Sequence, residues 1–491
     1  MDWTREMRYR PYKDYSALDL LKLQRQAGSS PAQLHYHIHP ASGLLNDPNG
    51  FSYFNHEWHV SYQNFPFGAA HGLKSWMHMS SNDLVHWQER GMVLTPDNQY
   101  DSHGAYSGSA LAQGDRLFLM YTGNHRDKDW VRTPYQLGAW MDKDGHVEKL
   151  AKPLIEKPAK FSEHFRDPQI MEKDGHYYAI LGAQTAEGEA GHIDLWTSDQ
   201  LESGWHEVGL VQMSQYQMGY MIECPNLVFV DGYAVMIFCP QGLNKQVSSY
   251  QNVYPNMYLI GDGFNFDHAE LVNSSDKPLN LDCGFDVYAS QAFNAPDGHA
   301  YAISWVGLPD TTYPTDDENW ANCLSQVKEL HVKDGKLYQQ PVSAMRTLRV
   351  DAKRYDFAGT LPMIPEPDTQ QYELSITIAK DQEGSLNLLG SQDNHHALKL
   401  NFDTKKGQLT IDRGQVGQPV ATDHGTTRTI DLTASHDLEL QIFIDHSLAE
   451  IFINGGAQVA TLRYFADQNN NRIYFNQPTK AQGSLWPLSN M

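Results

Sequence analysis

The chain has 491 residues, with 37 Lys and Arg against 59 Asp and Glu, so its formal net charge is −22. That length is enough for two or three domains with well-formed cores. The acidic balance argues against a protein that binds nucleic acid or an anionic membrane, because both need clustered basic residues. A small anionic ligand stays compatible, since a pocket can be basic on an acidic protein.

The first predicted element is a helix in an N-terminal segment, residues 1–34. Leucines recur at helical spacing between residues 15 and 27. Residues 1–31 lack the apolar run of a secretion signal, and no stretch approaches a membrane span. We therefore expect a cytoplasmic protein that contacts no membrane and keeps its four cysteines reduced. A Cys224–Cys239 disulfide is the alternative in an oxidising compartment.

Residues 35–341 contain five segments that repeat one pattern. Each opens with a short polar motif and continues through an apolar strand, a turn and a second strand. The openings are 46–50 (NDPNG), 106–109 (YSGS), 166–169 (RDPQ), 223–226 (ECPN) and 286–290 (DVYAS). Their spacing of about 60 residues is somewhat above the 40 to 50 of common propeller blades. A repeat made of strands predicts an all-β domain, a five-bladed β-propeller.

Residues 342–368 are basic and then rich in proline, which predicts a linker. From residue 369 onward, apolar and polar residues alternate strictly, as at 372–378 and 438–444. Alternation of this kind is typical of strands with one buried face. We expect residues 369–491 to form a C-terminal β-sandwich with a structural or ancillary role.

Three carboxylates stand at matching places in these repeats: Asp47, Asp167 and Glu223. Each taken alone has a plainer interpretation as a turn residue, an ion pair with Arg166 or a strand end. Equivalent positions of successive blades point toward one axis, so the repeat favours convergence of the three. Acid/base chemistry on a sugar needs such an arrangement.

The local sequence suggests a different role for each carboxylate. Asp47 is short and lies in a turn rich in backbone N–H groups, which keep a nucleophile ionised. Glu223 is longer and has apolar sequence neighbours, which raise a carboxyl pKa and suit a general acid/base. Asp167 has Arg166 beside it, so we expect it to stay charged and to stabilise an oxocarbenium-like transition state.

Several polar and aromatic residues are predicted to bind the sugar. Asn46, Gln63, Ser107 and Arg166 offer hydrogen bonds to hydroxyls. Four aromatic residues are suited to stack on a sugar ring or to wall the pocket: Trp76, Tyr106, Tyr288 and Trp305. Packing between blades is an equally good interpretation of each aromatic residue.

Three histidines near the start of the propeller alternate in sequence: His35, His37 and His39. On a strand they would share one face, where they could bind a metal ion. We favour a strand that enters the first blade with partly exposed imidazoles, and therefore predict no metal site.

The ordered motifs resemble those of family 32 glycoside hydrolases, the family of invertases and fructanases. The resemblance rests on 46–50 (NDPNG), 106–110 (YSGSA), 166–168 (RDP), 223–225 (ECP), 285–291 (FDVYASQ), 443–445 (FID) and 450–452 (EIF). It therefore extends over nearly the whole chain. It implies a five-bladed propeller followed by a β-sandwich, with neither cofactor nor metal.

The resemblance also implies a retaining β-fructofuranosidase that acts at C2 of a terminal fructosyl unit. Asp47 would be the nucleophile, Glu223 the acid/base and Asp167 the transition-state stabiliser. The chain most resembles the bacterial sucrose-6-phosphate hydrolases, on motifs at 71–76 (HGLKSW), 101–108 (DSHGAYSG), 121–124 (YTGN) and 307–310 (GLPD).

Many family members have Trp where this chain has His71, and His71 with Lys74 suits a phosphate better than a second sugar ring. His125 and Arg126 are a second candidate phosphate anchor, with a solvated loop as the alternative. We expect sucrose 6-phosphate, sucrose or short fructo-oligosaccharides as the small-molecule partner, and a monomer or homodimer. An exo-fructan hydrolase, a transfructosylase and a non-catalytic fructan-binding protein stay open as alternatives.

Overall fold

Five antiparallel sheets form a ring in residues 43–341, and a ten-stranded sheet follows in residues 355–487. The computed structural model describes residues 3–491, so residues 1 and 2 of the predicted N-terminal segment lie outside the described range. The innermost strands of successive sheets contact one another, and the fifth contacts the first, which closes the ring. The predicted all-β fold, a five-bladed propeller followed by a β-sandwich and preceded by a short helix, is confirmed.

The strands of the first three blades follow one another from the axis to the rim. Blade 1 contains β1 (Gly43–Phe54), β2 (Glu57–Phe65), β3 (Ser75–Ser81) and β4 (Trp87–Leu94). Blade 2 contains β5 (Ala105–Gln113), β6 (Arg116–Arg126), β7 (Arg132–Asp142), β8 (Val147–Lys149) and β9 (Ile155–Glu156). Blade 3 contains β10 (Phe161–Lys173), β11 (His176–Thr185), β12 (Gly191–Ser198) and β13 (His206–Leu210).

Blades 4 and 5 carry short additional strands. Blade 4 and its outer hairpin contain β14 (Met221–Val230), β15 (Tyr233–Gln241), β16 (Met257–Gly261), β17 (Gly263–Asn265), β18 (Glu270–Val272) and β19 (Leu279–Asn280). The last part of the propeller contains β20 (Val287–Asn294), β21 (Ala300–Val306), β22 (Trp320–Ala321), β23 (Cys323–Leu324), β24 (Lys328–Lys333) and β25 (Lys336–Pro341). Strand β22 pairs in parallel with β1, which ties the end of the ring to its beginning.

The same irregularity interrupts all five innermost strands where the sequence motif recurs. The register with the second strand shifts between Leu45 and Pro48, Ala105 and Gly108, Arg166 and Gln169, Glu223 and Asn226, and Tyr288 and Ser290. Such bulges re-aim a side chain, and they tolerate proline because no ladder hydrogen bond is lost there. The recurring motif is thus a bulge sequence that directs one side chain per blade toward the axis.

The N-terminal segment lies against blade 1. It contains α1 (Arg5–Arg8), a 3-10 turn at Tyr12–Asp14 and α2 (Ala17–Gly28). A capping box between Ser16 and Asp19 starts α2. The Tyr12 hydroxyl donates to the Leu73 carbonyl at 2.6 Å, and the Tyr15 ring stacks on Phe67 with centroids 3.6 Å apart. These contacts bring the segment to the mouth of the central pocket.

The C-terminal sheet curls around one large apolar core. Its strands are β26 (Tyr355–Ile364), β27 (Gln371–Ile378), β28 (Glu383–Gly390), β29 (Leu398–Asp403), β30 (Gln408–Asp412), β31 (Thr427–Asp431), β32 (Leu438–Asp445), β33 (Leu448–Ile453), β34 (Gln458–Arg463) and β35 (Arg472–Pro487). Strand β26 lies inside the predicted linker. Its proline, Pro362, occupies a register shift opposite β35, where no N–H is needed, so proline does not end the strand.

Buried charges join the sandwich to the propeller. His37 is not on a strand; its Nδ1 lies 2.9 Å from Asp445 Oδ2, and its Nε2 lies 3.0 Å from Glu450 Oε2. The expectation of partly exposed imidazoles on one strand face is therefore wrong for His37, because the two carboxylates hold it in the interface. Lys328 Nζ lies 3.0 Å from Glu450 Oε1 and completes the group.

None of the helices within residues 3–491 is both long and apolar enough to cross a membrane. The four cysteines carry free thiols, as the first of the two interpretations predicted.

Candidate active site

The three predicted carboxylates converge at the propeller axis around one thiol. Cys224 Sγ lies 3.8 Å from Asp47 Oδ2 and 3.6 Å from Asp167 Oδ2. Glu223 directly precedes Cys224 on the bulge of β14. Burial raises the pKa of the Cys224 thiol well above its usual range, so the thiol is neutral and donates to both carboxylates. Blades 1, 3 and 4 thus each supply one acidic side chain to a single pocket.

Asp47 is held by three side-chain donors. Asn46 Nδ2 donates to Oδ1 at 3.0 Å, Gln63 Nε2 donates to Oδ2 at 3.1 Å, and the Ser107 hydroxyl also donates to Oδ2. Burial raises the pKa of Asp47, the hydrogen bond from Ser107 opposes that rise, and the nearby Glu223 charge adds to it. The three hydrogen bonds therefore fix the position of the Asp47 carboxylate, while burial and the Glu223 charge make its ionised form less stable.

Asp167 occupies the left-handed region of backbone space, with φ of 65°. Its Oδ2 accepts the backbone N–H of Cys224 at 3.0 Å. Burial, reinforced by the charges of Glu223 and Asp47, raises the pKa of Asp167 to about 7 despite the opposing charge of Arg166. The Arg166 charge therefore acts on Asp167 as expected, but burial outweighs it, so the pKa of Asp167 is higher than the sequence led us to expect.

Arg166 instead bonds Glu223. Its Nε and Nη2 donate to Glu223 Oε1 at 3.1 and 2.6 Å, while Gln241 Nε2 and the Tyr288 hydroxyl donate to Oε2 at 2.7 and 2.6 Å. Burial raises the pKa of Glu223, but the Arg166 charge and these hydrogen bonds outweigh it, so the net pKa is lowered. The predicted rise from apolar sequence neighbours is thus wrong, since spatial neighbours decide the outcome.

Some of the predicted aromatic residues line the pocket, and others are buried in the core. Tyr288 reaches Glu223, and Tyr106 is partly exposed beside Ser107. Trp76 is 0% exposed and donates its indole N–H to the Tyr106 carbonyl at 2.9 Å. Its prediction as a sugar-stacking residue is wrong, because it packs between blades. Trp305, 2% exposed, supports Tyr288 from behind, with ring centroids 6.1 Å apart.

The predicted phosphate anchors also divide. Lys74 is 3% exposed, and its ammonium donates to Asn46 Oδ1. It is not a surface anchor, because it is buried behind the nucleophile.

The other predicted anchors lie nearer the surface. His71 is exposed at the pocket mouth, edge-on to Trp305. His125 Nδ1 lies 2.9 Å from Ser102 Oγ, and Arg126 Nη1 donates to the Trp130 carbonyl at 2.9 Å, both on the rim of blade 2.

Sequence reasoning missed Gln241, His164 and Arg132. Gln241 is paired in register with Met221. Its position near the motif at 223–226 could therefore be predicted once the β14–β15 hairpin is known. His164 Nδ1 accepts from Arg166 Nη1 at 2.8 Å and from Arg132 Nη2 at 3.1 Å. No sequence signal joins Arg132 to blade 3, because only the fold brings the two blades together.

A propeller that gathers three carboxylates with hydroxyl-binding groups at its axis defines a glycoside hydrolase. The chain belongs to the glycosyl hydrolases of family 32: the N-terminal domain of that family matches residues 37–341, and its C-terminal domain matches residues 340–487.

Relatives of the chain are similar over their whole lengths. A sucrose-6-phosphate hydrolase of Pediococcus pentosaceus is 46% identical, over 99% of this chain and 96% of that protein. The structure of a sucrose-6-phosphate hydrolase from Lactobacillus gasseri is 55% identical, with a TM-score of 0.97 and all of both chains covered. A mutant family 32 β-fructofuranosidase of Bombyx mori in complex with sucrose is 25% identical, with a TM-score of 0.81 and coverage of 97% and 99%.

Proposed function

We propose that the protein is a retaining β-fructofuranosidase that hydrolyses sucrose 6-phosphate, and sucrose more slowly, to release fructose. The convergence of Asp47, Asp167 and Glu223 from three blades carries this proposal. Similarity to sucrose-6-phosphate hydrolases over the full chain supports the phosphorylated substrate. A group of arginines and histidines at the pocket rim, on a protein of net charge −22, supports it further.

The reaction follows in two displacements. Asp47 attacks C2 of the fructosyl unit while Glu223 gives its proton to the departing glycosidic oxygen, which leaves as the sugar hydroxyl. A water molecule then attacks C2, gives a proton back to Glu223 and releases Asp47. The Asp167 carboxylate lies beside the reacting carbon and stabilises the positive charge that develops in both transition states.

The reactive form needs Asp47 ionised and Glu223 protonated. In the free pocket the pKa directions are opposite, since Arg166 lowers the pKa of Glu223 while burial raises that of Asp47. The three carboxyls are close enough to titrate as one group that shares its protons. We infer that substrate binding raises the pKa of Glu223, so that it holds the proton that it donates to the leaving oxygen.

The chemistry of the substrate bears on location and assembly. A phosphorylated sugar is an anion that does not cross a bilayer unaided, since burying a charge in hydrocarbon is very costly. Four free thiols fit the same reducing compartment. We therefore propose a cytoplasmic enzyme. We also propose that a monomer is sufficient for activity, because a single chain supplies all three carboxylates.

Reaction stereochemistry tests the mechanism. With methanol as acceptor, a double displacement gives methyl β-fructofuranoside, whereas a single displacement gives the α-anomer, and NMR distinguishes the two. Glu223→Gln should lower kcat by about 10²- to 10⁴-fold, and Asp47→Asn should abolish turnover. The control Asp174→Asn removes a carboxylate that is 84% exposed on blade 3. The α-anomer, or normal turnover by Glu223→Gln, would refute the mechanism.

Substrate comparison tests the specificity. We expect kcat/KM to be highest for sucrose 6-phosphate, lower for sucrose and kestose, and lowest for inulin. A preference for long inulin would instead indicate an exo-fructan hydrolase and would exclude the phosphorylated substrate.

A further inference from the structure

Two arginines face each other at the end of the β6–β7 hairpin. Arg126, the last residue of β6, is paired in register with Arg132, the first residue of β7. Directly opposed residues on an antiparallel pair project from the same face, and two like charges in that position destabilise the pair. An arrangement of this kind is stable when an anion lies between or above the two cations.

The protein itself supplies little negative charge there. Arg132 Nη2 lies 3.1 Å from Oε1 of Glu163, whose side chain is 45% exposed. Arg126 has no carboxylate within 4.0 Å among residues 3–491 and donates Nη1 to the Trp130 carbonyl. The Nε atoms of both arginines are buried without a hydrogen-bond partner in the part of the chain that the structure describes. Neither guanidinium group is thus fully paired within the described residues.

One hydrogen-bonded chain connects this pair to a catalytic carboxylate. It runs from Arg132 through His164 to Arg166, which bonds Glu223. Burial, reinforced by the Arg166 and Arg132 charges, lowers the pKa of His164 to about 4, so its neutral Nδ1 accepts from both guanidiniums.

The position matches the leaving group rather than the fructosyl unit. Glu223 must reach the departing oxygen, and Arg132 is joined to its partner Arg166 through His164, so we expect the pair on the side of the departing sugar. A sugar hydroxyl needs one neutral partner, whereas a phosphate dianion offers several charged acceptors that match planar guanidinium groups. Burial and the positive charges of Arg166 and Arg126 lower the pKa of Arg132, which means that they destabilise its charged form. A bound anion would stabilise that charged form.

We propose that Arg126 and Arg132 together form the subsite that binds the phosphate of the leaving sugar, an inference that rests on the proposed function. His125, linked through Ser102 to His103, lies on the same rim. The pair sets the preference for a phosphorylated over an unphosphorylated substrate. Free inorganic phosphate binds the same pair and competes with substrate.

Substrate selectivity tests this subsite. The ratio of kcat/KM for sucrose 6-phosphate to kcat/KM for sucrose is measured for the wild type, Arg126→Gln and Arg132→Gln. Loss of a charged hydrogen bond should lower that ratio on the order of 10- to 100-fold in each variant. Inorganic phosphate should inhibit sucrose hydrolysis competitively in the wild type, with a higher inhibition constant in both variants.

The opposite end of β6 offers a matched control. Arg116 stacks on Trp140 at 4.3 Å, as Arg126 stacks on Trp130 at 5.1 Å, but it lies at the outer end of the same strand. Arg116→Gln should leave the selectivity ratio unchanged.

Two results would overturn the inference, and they have different meanings. If Arg126→Gln and Arg132→Gln lower activity on both substrates in parallel, the arginines are structural, although the proposed substrate stands. If the wild type itself does not prefer sucrose 6-phosphate to sucrose, the phosphorylated substrate fails together with the subsite.

Discussion

The Arg166 guanidinium gives two hydrogen bonds to a single oxygen of Glu223, from Nε at 3.1 Å and from Nη2 at 2.6 Å. This contact lowers the pKa of the group that must donate a proton. Asp167, left without that guanidinium contact, has a pKa raised by burial to about 7. Arg166 therefore favours the ionised form of Glu223, the residue that must donate a proton.

Replacement of Arg166 should change the pH dependence as well as the rate. In Arg166→Gln the pKa of Glu223 rises, because the charge that lowered it is gone, so Glu223 keeps its proton to higher pH. The basic limb of kcat/KM against pH should then move upward in pH, even though lost positioning lowers the maximum. Arg166→Lys retains the charge and should keep the limb nearer its wild-type position. An unchanged limb in Arg166→Gln would contradict this account.

Lys74 should act on the nucleophile through Asn46. Its buried ammonium donates to Asn46 Oδ1, and Asn46 Nδ2 donates to Asp47 Oδ1 at 3.0 Å. Burial lowers the pKa of Lys74 to about 7, while the Asp47 charge opposes that change. Below that pH the cation favours ionised Asp47, so Lys74→Met should raise the pKa of Asp47 and move the acid limb of kcat/KM to higher pH.

A double-mutant cycle separates this relay from general disruption. If Asn46 transmits the effect, Lys74→Met should shift the acid limb less in an Asn46→Ala background than in the wild type. Equal shifts in both backgrounds would show that Lys74 acts without Asn46.

The convergence of the three carboxylates was predictable because it depends only on the repeat. The bulges of successive blades face one axis, so the side chains on them meet there. Asp47 and Asp167 occupy equivalent positions, and Glu223 lies one position earlier, because Cys224 takes the equivalent place in blade 4. The order of the motifs also predicted the sandwich and its place after the propeller. Those features depend on strand periodicity and on the number of repeats, which a sequence displays directly.

The partners of each carboxylate were not predictable. Adjacent residues on a strand project in opposite directions, so Arg166 turns away from Asp167 and reaches Glu223 on the next blade. Trp76 illustrates the same limit, since an aromatic residue on a blade strand faces either the pocket or the core and the sequence does not say which. Contacts between blades join residues about 60 positions apart, such as Arg166 and Glu223, and no local pattern encodes them.

His37 should stabilise the interface between propeller and sandwich in a pH-dependent way. Burial lowers its pKa, but hydrogen bonds with Asp445 and Glu450 raise it from 6.5 to about 9. Because the folded pKa is raised, this stabilisation is fully present below about pH 6.5 and is lost as pH rises through about 9. His37→Ala leaves two buried carboxylates without this partner and should lower the free energy of unfolding by about 3–5 kcal/mol at pH 6.

Urea unfolding at pH 6 and pH 9.5 checks the interface prediction. The difference between wild type and His37→Ala should shrink at the higher pH. A surface control is His86→Ala, which breaks a pair with Asp83 whose side chains are 43% and 32% exposed; it should cost about 0–1 kcal/mol. A His37→Ala penalty as small as that of the control, or one that grows with pH, would contradict the assignment.

The same substitution should act differently at two carboxylates of the propeller. Asp286 lies just before β20 in blade 5, and Ala289, not Asp286, occupies the bulge that corresponds to Asp47 in blade 1. Asp286 accepts from the Tyr313 hydroxyl at 2.9 Å, from the Arg463 backbone N–H at 2.8 Å and from the Arg413 guanidinium. It is 0% exposed, and Arg413 and Arg463 belong to the sandwich. The blade 5 carboxylate thus binds the second domain instead of substrate.

Asp286→Asn and Asp47→Asn should therefore have opposite effects. Asp286→Asn leaves the buried Arg413 charge without its counterion and should lower the free energy of unfolding by about 3–5 kcal/mol, while folded enzyme keeps near-normal kcat. Asp47→Asn removes one of three crowded carboxylates, which relieves repulsion, so stability should hold or rise while turnover is lost. Paired urea titrations and initial rates measure both quantities. Loss of turnover in fully folded Asp286→Asn would place that carboxylate in the chemistry and contradict its assignment to the domain interface.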